Sequence, residues 1–414
     1  MRSVIAATAA ACLTAYVFVY ASGLAPAPIR SDGFSYYVYL PSWLLYHDMT
    51  LASVADDCCG GEFPAYTAII RWRGTNRWVN AHPIGVAVMQ APFFAIAHAL
   101  TRWTNLSPDG FTLYYQHAAG LAGVFWAMAG LWVLGTVLRR HFTSAVTAAT
   151  LVTILLGTSL FHYATFDSSY SHAYSFFLFA AFLAAIERWD RGPRLPTAVL
   201  AGVVAGLSVL VRHTNVLLLI CFAFRFRRDM RRIALTTVVF LLVIAPQLAI
   251  YYQATGRPIV SSYGELGFNF GSPRIFGVLF STQKGLFFWS PILLLACAGF
   301  VFLARSGHSA RRFVLPTCVF LAADTYLIAS WWDWQFGGSF GHRGFVDALP
   351  LFAIGLAAFY QWAFAAPPRR HVVAAIVVCA IALNVFQMAQ YWNRVLPFSD
   401  TTWNQYRAVF LRWH

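Results

Sequence analysis

Apolar runs of about twenty residues recur along almost the whole chain, separated by short clusters of arginine. No other feature restricts the fold as severely. Hydrocarbon offers the backbone no hydrogen-bond partners, so a run of this length crosses a bilayer only as an α-helix. The 414 residues are 59% hydrophobic and 11% charged, where a soluble domain carries about 25% charged residues. No polar stretch is large enough for a separate soluble domain. The expected fold is an all-α integral membrane protein, a single polytopic domain over 1–414. The net charge of +14 does not point to nucleic acid. The basic residues sit between apolar runs, as the positive-inside rule requires of cytoplasmic loops.

Five basic clusters set the topology: Arg139-Arg140, Arg188 to Arg194, Arg225 to Arg232, Arg305 to Arg312, and Arg369-Arg370. Placing all five in the cytoplasm predicts hairpins at 145–161 with 171–187 and at 196–226. The hairpins turn outside at Phe166-Asp167-Ser168 and at Arg212 to Asn215. Spans follow at 233–251, 286–304, 312–330, 346–364 and 372–391, with outer loops at 252–284 and 331–345 and an outer C-terminus. Helix one leads out into a long outer-face region, 23–113, and the span 114–138 must return to Arg139-Arg140. The apolar stretch 83–100 therefore cannot cross without breaking the alternation, so it is expected as an outer-face helix. The count becomes about eleven spans plus juxtamembrane helices at about 33–47 and 83–100. Of 15 carboxylates, only Glu187, Asp190 and Asp229 fall inside. Asp324 alone lies within a span, where an ionisable group is a functional hint.

The N-terminal apolar segment reads as an uncleaved first helix rather than a signal peptide. Five cysteines lie in apolar segments as small buried residues. Cys58 and Cys59 are adjacent in a polar loop and are not expected to bond to each other. The seven cysteines form no metal pattern.

Polar residues crowd the outer plane. Asp32 follows the first helix, where Ser31 or Asp32 can cap a helix over 33–47. That helix carries Tyr36 and Tyr37. His82-Pro83 opens the 83–100 helix, and Arg212-His213 caps a hairpin. Loop 252–284 holds Arg257, Tyr263, Glu265, Arg274 and Lys284, the lone lysine of the chain. Loop 331–345 gathers Trp332, Asp333, Trp334, His342 and Arg343 among glycines. Taken singly, Asp32 reads as a helix cap, the arginines as lipid-headgroup contacts and the tryptophans as an interfacial belt. Together they suit a ligand site: glycines admit close backbone approach, and aromatic faces suit sugar rings.

The order of these features resembles the GT-C superfamily of membrane glycosyltransferases, particularly protein O-mannosyltransferases and lipid A aminoarabinose transferases. One helix is followed by an outer loop opening on Asp and an amphipathic helix, then a surface helix opened by a basic-Pro pair, then a span ending in Arg-Arg. The resemblance is clearest over 1–230. It implies a polyprenyl-monophosphate-linked sugar as donor and a glycan, lipid or secreted-protein hydroxyl as acceptor. Asp32 would be the catalytic base, with transfer by inversion at the outer face of a bacterial inner membrane. Arg212, Lys284, His82, Arg343, Arg257 and Arg274 are the implied phosphate-binding candidates. Tyr36, Tyr37, His213, Tyr263, Glu265, Trp332, Asp333, Trp334 and His342 are the implied substrate-lining ones. No cofactor or metal is implied, since a monophosphate donor has no diphosphate to neutralise. Two departures stand out: Gly33 follows Asp32 where family members often carry Glu, and His82 replaces a Lys before proline. The competing reading is a polytopic transporter or lipid flippase, which should show paired broken helices and mid-membrane ionisable residues.

Overall fold

The computed structural model describes residues 2–413 apart from 193, 227, 228, 262, 264 and 265. Its helices are α1 Arg2–Ala21, α2 Asp32–Tyr37, α3 Tyr39–Leu44, α4 Ala52–Cys59, α5 Gly85–Thr101, α6 Leu113–Leu138, α7 Ser144–Leu156, α8 Leu160–Thr165, α9 Ser171–Trp189 and α10 Leu195–Val211. They continue as α11 Val216–Phe222, α12 Met230–Thr255, α13 Ile275–Phe280, α14 Leu286–Trp289, α15 Leu293–Ala304, α16 Val314–Ser330, α17 Leu349–Phe364, α18 Pro367–Trp392 and α19 Trp403–Val409. A two-stranded antiparallel ribbon, β1 Ile69–Arg71 with β2 Trp78–Asn80, lies between α4 and α5.

Among the described residues, five helices are long and apolar enough to cross a membrane: α1, α6, α12, α18, and α16 with the turn before it. Six shorter apolar helices accompany them. The strongly apolar helix α12 is almost wholly uncovered by the rest of the chain. A helix that apolar and that uncovered is solvated by lipid, and the chain is a multi-pass membrane protein. At the core, α15 crosses α17 at a two-glycine contact. A side chain at Gly299 would collide with the Gly355 carbonyl oxygen, and small residues are what let membrane helices approach this closely.

The charged residues sort to two ends. At one end Glu187 accepts from His141 at 2.8 Å and from Arg312, with Arg140 3.6 Å away. Arg312 also reaches Asp190 at 3.2 Å, and Asp190 takes a second bond from Arg225. Four of the five basic clusters thus supply residues to one carboxylate-centred network. The other end carries Asp32, and the two lie about 23 Å apart along α9, from His172 to Glu187.

The α2–α3 stretch meets the chain both before and after α5. His82, just before α5, stacks on Tyr36 at 4.2 Å. Beyond α5, the Gly110 carbonyl accepts from the Tyr37 hydroxyl, and Gly110 packs on Pro41. Within α5, Phe94 packs on Tyr37 at 6.0 Å, so α5 runs alongside α2–α3.

Three expectations are corrected. The helix over 33–47 is two short segments that turn at Val38, and Ser31, whose φ of 46° departs from the extended backbone usual at a helix cap, makes no side-chain cap. The 286–304 span is interrupted: α14 ends at Trp289, and Pro291, which lacks an amide donor, separates it from α15. Cys58 and Cys59 are bonded to each other. Their Cα atoms are 3.8 Å apart, below the usual range. The pair lies in the last turn of α4, where Gly60 and Gly61 take left-handed backbone and no further helical residue constrains Cys59.

Candidate active site

Local packing fixes Asp32 on both sides. Two residues before it, Arg30 donates to Asp167 at 2.7 Å and to the Phe166 carbonyl at 2.9 Å. His162 also serves Asp167 at 2.9 Å and accepts from Trp392 Nε1 on its other nitrogen at 2.9 Å. The accepting nitrogen carries no hydrogen, so Nε2 holds the proton and donates to Asp167. Burial pushes the Asp167 carboxyl up, but Arg30 and His162 outweigh it and hold it at about 2. One residue after Asp32, Gly33 sits against Ser169, where any Cβ would strike the Ser169 hydroxyl. The Glu that often follows the Asp in the resembled family has no room here.

Asp32 opens α2 and faces a cavity of about 680 Å³. Its carboxylate accepts from Arg343 Nη1 at 2.7 Å and keeps 25% of its side chain exposed. Burial alone would raise the Asp32 carboxyl; Arg343 outweighs it and, with His82 and His172, holds the group below its ordinary value. The same pairing raises Arg343 against its own burial. A second ion pair lines the cavity where α10 ends. Arg212 lies 3.3 Å from Asp347 and 3.1 Å from His172, and His172 lies 3.0 Å from Asp347. The Phe336 ring is shared by both guanidinium groups, each 5.8 Å from its centroid.

His82 is buried in the wall. Its amide donates to Asn80 at 3.0 Å and its carbonyl accepts from Tyr39 at 2.9 Å. Its Nδ1 has no partner among the described residues. Burial lowers the imidazole to about 4, helped by Arg343 and Arg212 and opposed by Asp32. His82 is therefore neutral at pH 7 and offers a donated hydrogen bond rather than a positive charge.

The lip joins two loops. Trp332 donates its amide to the Gly267 carbonyl at 3.1 Å, and Trp331 pairs with Phe268. Tyr263 meets Trp331 edge-on at 5.2 Å. Tyr36, His213, Tyr263, Trp332 and Asp333 all line the cavity, and burial raises the Asp333 carboxyl. Deeper in, Asp324 lines it with Phe179, Phe320 and Leu327. Asp324 lies about 9 Å along α16 from Ser330.

Six sequence candidates lie elsewhere. Lys284 is buried and donates to the Ser339 and Phe398 carbonyls, the latter at 3.2 Å. Arg257 and Arg274 are exposed and do not line the cavity. Tyr37 is buried on the Gly110 side, Trp334 packs on Gly277, and His342 is buried against Phe336 and Phe345, outside the cavity lining. Glu265 falls outside the described residues. His172 and Asp347 belong to the lining but were not among the candidates. His172 follows the Asp167 turn by five residues and Asp347 follows Arg343 by four, and those spacings were the available signal. Among the described residues, no three of His, Cys, Asp and Glu converge as a metal site.

Comparison with family models and with curated proteins returns no match. Among solved structures, the chain superposes on the archaeal oligosaccharyltransferase AglB from Archaeoglobus fulgidus, determined with an inhibitory peptide and a dolichol-phosphate. The TM-score is 0.52 and the identity 10%, over 99% of this chain. That likeness is one of fold. The chain spans about half the length of that protein, 53%.

Proposed function

We propose that the chain is a membrane glycosyltransferase, moving a sugar from a polyprenyl-monophosphate donor to an acceptor hydroxyl at the outer face of a bacterial plasma membrane. The observation that supports this best is one cavity holding a partly exposed carboxylate, two guanidinium groups and an aromatic lip, in a GT-C fold. Asp32 takes the proton from the acceptor hydroxyl as its oxygen bonds to the anomeric carbon. The bond from that carbon to the phosphate oxygen breaks, and its electron pair leaves with the polyprenyl phosphate. Attack from the face opposite the leaving group inverts the anomeric configuration. Negative charge grows on the phosphate, and Arg343 and Arg212 receive it; a guanidinium fork matches phosphate with two parallel hydrogen bonds. His82, neutral, donates a hydrogen bond to the same group or to a sugar hydroxyl. Trp331, Trp332 and Tyr263 supply faces for the sugar ring. The arginine clusters at the Glu187 end favour a cytoplasmic N-terminus and an outer-face Asp32.

The Glu187 network ties α6, α9 and the start of α16 together at the opposite end, which suits a one-sided site better than an alternating-access transporter. The test uses purified protein in proteoliposomes with labelled polyprenyl-phosphate sugars and a cell-envelope acceptor extract. Glycosyl transfer yields sugar-free polyprenyl phosphate and a labelled acceptor. Recovery of intact donor on the far leaflet, with no free polyprenyl phosphate, would establish a flippase instead.

A further inference from the structure

Arg343 and Asp32 are bonded to each other, yet the proposed reaction needs each for a different partner. Asp32 must be free to accept a proton, and Arg343 must be free to receive a phosphate. Both line the same cavity, and neither is sealed: 25% of the Asp32 side chain and 14% of the Arg343 side chain remain exposed. Arg343 is held from behind by aromatic rings rather than by a second carboxylate, with Tyr170 and Phe336 each 5.8 Å from its guanidinium carbon. Arg212, by contrast, pairs with Asp347, a carboxylate other than Asp32, and has His172 Nδ1 beside it at 3.1 Å. The two arginines share the Phe336 ring but differ in how firmly they are held.

Resting on the glycosyltransferase reading, we propose that the donor phosphate takes Arg343 from Asp32, and that this exchange of partner arms Asp32 as the base. Arg212, paired with Asp347, is the standing half of the phosphate site, and Arg343 is the half that changes hands. A carboxylate in an ion pair with a guanidinium is a weak proton acceptor. Once Arg343 turns to the phosphate, the burial that already acts on Asp32 is no longer offset, and its affinity for a proton rises. The base is then strongest when a donor is in place. After transfer, Asp32 carries the acceptor's proton. Loss of that proton restores the carboxylate, which competes for Arg343 and helps release polyprenyl phosphate. The other groups facing Asp32 are His82 and His172, with Tyr36, Tyr163, Tyr170, Tyr263 and Asp333 around it. None of these is bonded to Asp32, so none takes over from Arg343.

The test measures binding of farnesyl phosphate, which carries no sugar, to the full chain in nanodiscs by calorimetry. Asp32→Asn, Arg343→Gln and the double variant complete a cycle. Removing the competing carboxylate in Asp32→Asn is expected to tighten binding about tenfold at pH 7, which is about 1.4 kcal/mol. In the Arg343→Gln background the same change should have little effect, because there is no shared guanidinium to release. Equal tightening in both backgrounds means Asp32 acts only by repulsion, and unchanged or weaker binding in Asp32→Asn means there is no competition. Either result overturns the exchange. A second readout needs no arginine variant. At pH 5, in two buffers of different ionisation enthalpy, wild type should take up more protons on binding than Asp32→Asn; equal uptake overturns the exchange. If wild type transfers sugar while these tests fail, the glycosyltransferase reading stands and only the exchange is wrong. If wild type neither binds farnesyl phosphate nor consumes any polyprenyl-linked sugar, both fail.

Discussion

Asp32 owes its position to its neighbours in sequence more than to α2, which has only six residues. Arg30 locks the approach onto Asp167, and Gly33 seats the helix on Ser169. Gly33→Ala should therefore misplace Asp32 and lower kcat far more than it raises KM, as steady-state kinetics would show. His82 sets a pH limit. Its imidazole is lowered from 6.5 to about 4. Between those values the unfolded chain takes up a proton that the folded chain refuses, so stability falls as pH drops through that window. His342, lowered to about 3 by burial, acts in the same direction. Thermal unfolding in detergent should show a lower Tm at pH 4.5 than at pH 7, and His82→Gln should flatten the difference. Asp32 was legible in the sequence because it is the first carboxylate after the first helix. Arg343 was legible because it closes a loop dense in tryptophan and glycine. Lys284 stood out by composition alone, but its ammonium serves the Ser339 and Phe398 carbonyls. Burial lowers that ammonium to about 7. Lys284→Met should cost Tm while leaving the transfer rate of the folded fraction within about twofold, since Lys284 lies outside the cavity lining.

At the scale of elements, close helix contacts decide whether the cavity walls stand. Gly299 on α15 lies against the Gly355 backbone on α17, with no room for a side chain. Gly299→Val should force the helices apart at a cost of several kcal/mol, comparable to overpacking a core or more. A folding assay should register it as lost monodisperse protein rather than as altered KM. The long helices were readable from hydropathy because lipid imposes both length and composition on them. The broken 286–304 stretch was not, since Pro291 interrupts hydrogen bonding without interrupting the apolar run. The Cys58–Cys59 bond was missed for a different reason: a separation rule for ordinary disulfides says nothing of two cysteines that share one peptide unit.

At the scale of the whole molecule, charge sorted to two ends carries both topology and function. The arginine clusters named one end from the sequence, and four of them meet at Glu187 and Asp190. The ion pairs within the cavity were less legible, because Arg212–Asp347 and Arg343–Asp32 each join residues far apart in the chain. The placement of α5 alongside α2–α3 predicts that cysteines introduced at 102–112 react with an impermeant reagent on the Asp32 side. Labelling only from the Glu187 side would mean that α5 crosses the membrane. The central claim is that Asp32 accepts the acceptor's proton during sugar transfer. Single-turnover transfer from a labelled polyprenyl-phosphate sugar, comparing wild type with a folded Asp32→Asn protein, tests it most directly. The rate should fall by about 10²–10⁴-fold with donor binding retained, and an undiminished rate would contradict the account.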